Sequence, residues 1–211
     1  MAHRRLLVKI CGITRSEDAR VAAAAGADAV GFVFWGKIPR RVDGAQAREI
    51  GDGLPPTVLR VGVFVDAPVD EMARLAEAAR LDVIQLHGAE EPEVLSALPL
   101  RCWKAIRVGP SFVAADALRY QGSAAGILLD TASISAPGGT GRSFDWRLAR
   151  AVREKAPFLV LAGGLRPQNV GAAVQALRPD GVDVSSGVES SPGRKDEEKV
   201  RDFLRAAREA S

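Results

Sequence analysis

Cys11 stands at the end of the mostly apolar run Leu6-Leu7-Val8-Lys9-Ile10 and is followed at once by Gly12. A thiol at the carboxyl end of a strand, where α/β proteins gather reactive groups, suits proton transfer as a base. Asp130 closes a second apolar run, Gly126-Ile127-Leu128-Leu129, and offers a carboxyl group as the matching acid. A free thiol ionises near ~8.5 and a free aspartic acid near ~3.9, so the pair works at neutral pH only if its surroundings move both values. Lys9 lies two residues before Cys11 on the same face of a strand and is expected to favour the thiolate. Burial beside leucines is expected to raise the Asp130 carboxyl. In isolation Cys11 would suit a small buried hydrophobe and Asp130 a turn; their shared position at strand ends argues for chemistry.

A second group of residues points to an anion. Gly163-Gly164 and Ser186-Gly187 follow the last two apolar runs, where glycine lets the backbone approach a phosphate and a short following helix aims its N–H groups at it. Gly138-Gly139-Thr140-Gly141 is expected to cap the same ligand through Gly139 and Gly141. The loop after the second run carries Lys37, Arg40 and Arg41. His87, at the end of the fourth run, either contacts substrate or serves as hydrogen-bonded structure. Asp183, between Val182 and Val184, either anchors a hydroxyl or pairs with Lys9. Cys102 lies within a run and reads as structural.

Apolar runs of strand length, over 6–10, 29–34, 58–65, 83–86, 101–108, 126–129, 158–161 and 182–184, have to position these groups. They alternate with helical stretches over 16–25, 45–51, 69–80, 90–98 and 112–120, two more opening at Asp145 and Pro167, and a last one over 195–210. Eight such units at about 26 residues each fit a single (β/α)8 TIM barrel over residues 1–211, at the compact end of that fold. An open doubly wound sheet would place its glycine-rich turn after the first strand, whereas here the glycines follow the sixth, seventh and eighth. No change of composition divides the chain.

Composition narrows the partners. Lys and Arg number 29 against 26 Asp and Glu, and aromatic residues make up 5%, too dispersed and too few for a nucleic-acid surface. No run approaches the ~20 apolar residues of a membrane span, and Lys9 interrupts the first run too early for a signal peptide. A cytoplasmic protein with two free thiols and a small-molecule ligand is expected. A metal-dependent sugar-phosphate epimerase would need several histidine and carboxylate ligands at strand ends, and only His87 is placed to serve.

The chain resembles the phosphoribosylanthranilate isomerases of tryptophan biosynthesis. The likeness runs through Lys9-Ile-Cys-Gly-Ile-Thr14, Gly26-Ala-Asp-Ala-Val-Gly-Phe32, Arg60-Val-Gly-Val-Phe64, Gln85-Leu-His-Gly88, Leu128-Leu-Asp130, Gly138-Gly-Thr-Gly141, Phe144-Asp-Trp146, Gly163-Gly-Leu165 and Val184-Ser-Ser-Gly-Val-Glu189. The resemblance implies a barrel without metal or cofactor, and an aldose-ketose isomerase. Its reaction is the Amadori rearrangement of a phosphoribosyl aminobenzoate to 1-(2-carboxyphenylamino)-1-deoxyribulose 5-phosphate. It implies Cys11 as general base, Asp130 as general acid and Arg40 as the binder of the substrate carboxylate, with Arg41 as its neighbouring substitute. Where the family commonly has proline and serine, this chain has Gly36 and Ile38, and Arg142-Ser143 stands for the more usual Lys-Thr. A non-catalytic phosphosugar-binding barrel, or another phosphosugar isomerase, is the alternative that glycine loops alone would fit.

Overall fold

The computed structural model describes residues 5–109, 111–130 and 146–211. Strands β1 (Leu7–Cys11), β2 (Ala29–Val33), β3 (Leu59–Phe64), β4 (Val83–Leu86), β5 (Arg101–Arg107), β6 (Gly126–Asp130), β7 (Leu159–Ala162) and β8 (Gly181–Val184) pair in chain order. All are parallel, and β8 returns to β1 to close the barrel. Helices α1 (Ser16–Ala24), α2 (Gly44–Asp52), α3 (Val69–Ala78), α4 (Pro92–Ser96), α5 (Ala114–Leu118), α6 (Trp146–Arg153), α7 (Pro167–Leu177) and α8 (Glu197–Glu209) occupy the connections and the carboxyl end.

Alternation along each strand sorts residues into two cores. Val8 and Ile10 of β1 join Phe32, Phe64, Ile84 and the helix residues Met72, Phe203 and Leu204 in the large core between sheet and helices. Burying each of these large side chains is worth about 1.5–3 kcal/mol. The opposite faces fill the barrel. A lower layer holds Ala29, Val61, Val83, Trp103, Leu128 and Val160, with Trp103 stacked on Phe158 at 5.8 Å between ring centroids. An upper layer at the mouth holds Cys11, Val33 and Val63. Buried polar side chains also enter the barrel: Lys9, Gln85 and Asp183.

Several element limits move for identifiable reasons. β1 and β6 each run one residue past their expected ends, making Cys11 and Asp130 the terminal strand residues. α4 begins at Pro92 rather than at residue 90, because the Glu90 carboxylate turns inward to accept from the Asp66 N–H at 2.8 Å and from Lys104 Nζ at 3.0 Å. The stretch after β8 contains a 3-10 turn, Ser186–Val188, and a hairpin, β9 (Glu189–Ser191) and β10 (Arg194–Lys195), that periodicity did not announce. Lys195 is drawn into this hairpin by Glu189 at 3.0 Å, so α8 starts at Glu197 behind an Asp196 cap that accepts from the Lys199 N–H at 3.1 Å. Among the described residues no helix is long and apolar enough to cross a membrane.

Candidate active site

Cys11 ends β1 opposite Gly31 of β2. A Cβ at Gly31 would lie 2.7 Å from the Cys11 sulfur and 3.1 Å from Lys9 Cε, so the bare glycine makes room for both side chains. Val33, Val63 and Ile38 pack around the thiol. Burial pushes the thiol up; Lys9 opposes this, Asp183 reinforces it, and the net displacement is upward. Lys9 does favour the thiolate, as expected from its place on the same strand face, but burial outweighs it. The ammonium also lies 3.0 Å from Asp183 Oδ2 and 3.0 Å from Gln85 Oε1. Burial would lower Lys9, but Asp183 and Cys11 together outweigh it and hold the ammonium above the ordinary lysine value.

Strand register explains this pairing, since Lys9 of β1 stands directly beside Asp183 of β8. Of the two readings of Asp183, the ion pair with Lys9 is realised. The second oxygen, Oδ1, is buried without a hydrogen-bond partner among the described residues, and Asp183 lines the same cavity as Cys11. An acceptor so placed can still take a substrate hydroxyl, because a buried lone pair left unmatched is costly.

Asp130 ends β6, across the mouth from Cys11. Its side chain is 20% exposed and its Oδ2 lies 3.0 Å from His87 Nε2. Leu128 and Leu129 face the two apolar cores, whereas Asp130 opens onto the cavity. His87 fulfils its structural reading by bonding Asp130, and it also lines the cavity. Gln85 had no assigned role. It lies two residues before His87 on the same strand face, its Nε2 3.4 Å from His87 Nδ1. A polar residue at an inward position of an otherwise apolar strand was the available signal.

The cavity at the mouth measures about 280 Å³. Besides Cys11, Gln85, His87, Asp130 and Asp183 it is lined by Trp35, Val33, Val63 and Arg107 on one side. Gly163, Gly164, Ser185, Ser186 and Gly187 line the other. Gly163 and Gly164 have φ of +88° and +63°, values that favour glycine. A Cβ on Gly187 would come within 1.9 Å of the Leu165 carbonyl oxygen, so this glycine lets the loops after β7 and β8 close on each other. The 3-10 turn beginning at Ser186 presents backbone N–H groups at this end. Gly139 and Gly141, expected to cap the ligand, lie outside the described residues.

Arg40 is held in place by Glu189. Its Nε and Nη2 are bound to Glu189 Oε1 and Oε2 at 2.8 and 2.6 Å, and it is not among the residues lining the cavity. Its stem packs against Gly12, where a Cβ would meet Arg40 Cδ at 2.9 Å, so the side chain passes beside Cys11. Glu189 also accepts from Lys195 Nζ; although burial raises its carboxyl, Arg40 and Lys195 together hold it below the usual range. Neither Glu189 nor Lys195 was given a role by sequence reasoning: the Arg40–Glu189 pair joins loops 149 residues apart that only the closed barrel brings together, and the Lys195–Glu189 pair depends on a hairpin that periodicity did not announce. Arg41 bridges Val33 through its backbone and its side chain is exposed. Cys102 is buried and structural, its thiol donating to the Leu100 carbonyl at 3.3 Å. Among the described residues no group of three His, Cys, Asp or Glu side chains could hold a metal ion.

Comparison with known proteins adds an independent observation. A family profile described as N-(5'phosphoribosyl)anthranilate (PRA) isomerase matches residues 8–206. The N-(5'-phosphoribosyl)anthranilate isomerase of Geobacter metallireducens is 50% identical over 201 residues, covering 95% of this chain and 98% of the relative. That of Pseudomonas aeruginosa is 52% identical over 202 residues, covering 95% and 94%. The crystal structure of phosphoribosyl anthranilate isomerase from Thermotoga maritima superposes with a TM-score of 0.87 at 43% identity, covering 96% of this chain and 98% of that one. A phosphoribosyl anthranilate isomerase in complex with reduced 1-(o-carboxyphenylamino)-1-deoxyribulose 5-phosphate superposes with a TM-score of 0.86 at 41% identity and the same coverage.

Proposed function

The chain belongs to the N-(5'-phosphoribosyl)anthranilate isomerase family, and from that premise we propose that it performs the family's Amadori rearrangement with Cys11 as base and Asp130 as acid. The observation that carries this assignment is the placement of both groups on one cavity, with the glycine loops after β7 and β8 closing the same space.

Phosphate at Gly163, Gly164, Ser186 and Gly187 fixes one end of the substrate, through backbone N–H groups and the turn that opens at Ser186. Asp130 protonates the ribose ring oxygen, and the nitrogen lone pair expels that oxygen to give an open-chain protonated Schiff base. Cys11, as thiolate, takes the proton from C2′, and the electron pair released neutralises the iminium as an enolamine. Loss of the C2′ hydroxyl proton and gain of a proton at C1′ complete the ketone. Asp183 Oδ1 supports a ribose hydroxyl, and Val33, Val63, Ile38 and Trp35 form the apolar side suited to the aryl ring. Arg40 serves the carboxylate with the Nη1 side of its guanidinium while Glu189 keeps the Nε and Nη2 edge.

Thiol burial is compatible with this role. A substrate whose iminium forms beside Cys11 adds a positive charge that favours the thiolate when the base is needed. The test mixes purified protein with freshly made phosphoribosylanthranilate and follows anthranilate-type fluorescence. Cys11→Ala and Asp130→Asn each lose about 10²–10⁴-fold in kcat, the usual contribution of a positioned acid or base. Wild-type turnover in both variants would overturn the assignment.

A further inference from the structure

Lys9 orders more than Asp183. An ammonium group donates and never accepts, so the Gln85 side chain must present its oxygen to Lys9, which it does at 3.0 Å. The Gln85 amide nitrogen, which only donates, then faces His87 Nδ1 at 3.4 Å. On the other side of the ring, Nε2 meets Asp130 Oδ2 at 3.0 Å. Taken alone, that last contact is ambiguous. A carboxylate accepts from Nε2–H, whereas a protonated carboxyl could donate to a bare Nε2. The order Lys9, Gln85, His87 removes the ambiguity. A proton on Nδ1 would oppose the Gln85 N–H; reversing the amide to receive that proton would set the same N–H against the Lys9 ammonium.

We infer that Lys9 and Gln85 hold His87 in the Nε2–H tautomer, which makes Asp130 Oδ2 a standing acceptor and confines the acid proton to Oδ1. The inference rests on Asp130 being the general acid. Its consequence is directional: the proton delivered to the ring oxygen leaves from one defined oxygen. The carboxylate left behind is stabilised at once by a charge-assisted bond from His87. Gln85 and His87 are positioning residues in this scheme.

The protein has two histidines, His3 and His87, so a long-range proton–nitrogen correlation spectrum of the labelled protein at neutral pH contains two imidazoles, and His3→Gln assigns them. The wild-type spectrum is expected to show His87 Nδ1 bare and Nε2 protonated. Gln85→Glu places an acceptor against Nδ1 and is expected to reverse the tautomer to Nδ1–H. The bare Nε2 then draws the Asp130 proton onto Oδ2, and kcat falls about tenfold or more while KM stays within about twofold. Gln85→Leu, which neither donates nor accepts, is expected to give a mixture. A proton on Nδ1 in the wild type, or an unchanged tautomer in Gln85→Glu, overturns the inference; the wild-type spectrum needs no variant to fold. The tautomer is read without turnover. An active Asp130→Asn beside a bare Nδ1 would refute the acid assignment alone, and an inactive Asp130→Asn beside a protonated Nδ1 would refute the tautomer alone.

Discussion

Replacing Lys9 with methionine should cost more stability than its single ion pair suggests. The Lys9 side chain is 0% exposed and that of Asp183 8%, so removing the ammonium strands a carboxylate whose second oxygen already lacks a partner among the described residues. Breaking a buried pair from one side costs about 3–5 kcal/mol, since the remaining charge keeps its desolvation penalty and loses its compensation. Gln85 Oε1 loses its donor as well. Against a usual total of about 5–15 kcal/mol this is a large fraction, and at roughly 2–4 °C per kcal/mol for a chain of this size Tm falls by roughly 10 °C. Thermal and urea unfolding of wild type, Lys9→Met, Asp183→Leu and the double variant measure the effect. The double variant should recover most of the loss, because removing both charges removes the penalty with the attraction. In Lys9→Met the Cys11 thiol, deprived of the charge that opposes its burial, moves further up, and the alkaline rise of kcat/KM shifts to higher pH. A cost below about 1 kcal/mol, or a double variant no more stable than Lys9→Met, would refute the reasoning.

Gly187→Ala drives a methyl group into the Leu165 carbonyl and parts the loops after β7 and β8, so KM should rise at least about tenfold, the loss of ~1.4 kcal/mol of phosphate binding, with a smaller change in kcat. An unchanged KM would remove Gly187 from the phosphate end. Arg40→Ala should raise KM by roughly 10-fold or more, in keeping with about 1.5–3 kcal/mol for hydrogen bonds to a charged group, while Arg41→Ala stays within about twofold. Cys102 tests linkage. Its thiol is pushed up to about 11 by burial, against about 9 when free, so its contribution is whole below the free value and is lost as pH rises through the folded one. Wild type should therefore lose more stability between about pH 9 and 11 than Cys102→Ala does, a difference in slope that urea unfolding across that range reads directly.

The barrel was legible because its signals are local. A strand buried on both faces reads as an apolar run, a helix as a spaced stripe, and their eightfold alternation leaves little choice of topology. Cys11, Asp130 and the two glycine loops were legible for the same reason, since strand ends in this fold meet at one mouth. Less was legible where a side chain abandons its own element. Glu90 shortens α4 by turning to Lys104, and Lys195 leaves an expected helix to pair with Glu189. No periodicity records such a choice.

The sequence by itself determined which residues face the mouth, because the period of two along a strand and the order of the strands are written in the chain. Only the tertiary structure decided what charge each of them meets. Lys9 was placed correctly on the face of Cys11, yet its ammonium also pairs with Asp183, 174 residues away, and burial outweighs what it does for the thiol. Arg40 went to Glu189, and Asp130 found His87 rather than the leucines beside it. Coulombic and desolvation energies depend on distances across a closed barrel, which neighbouring letters do not encode.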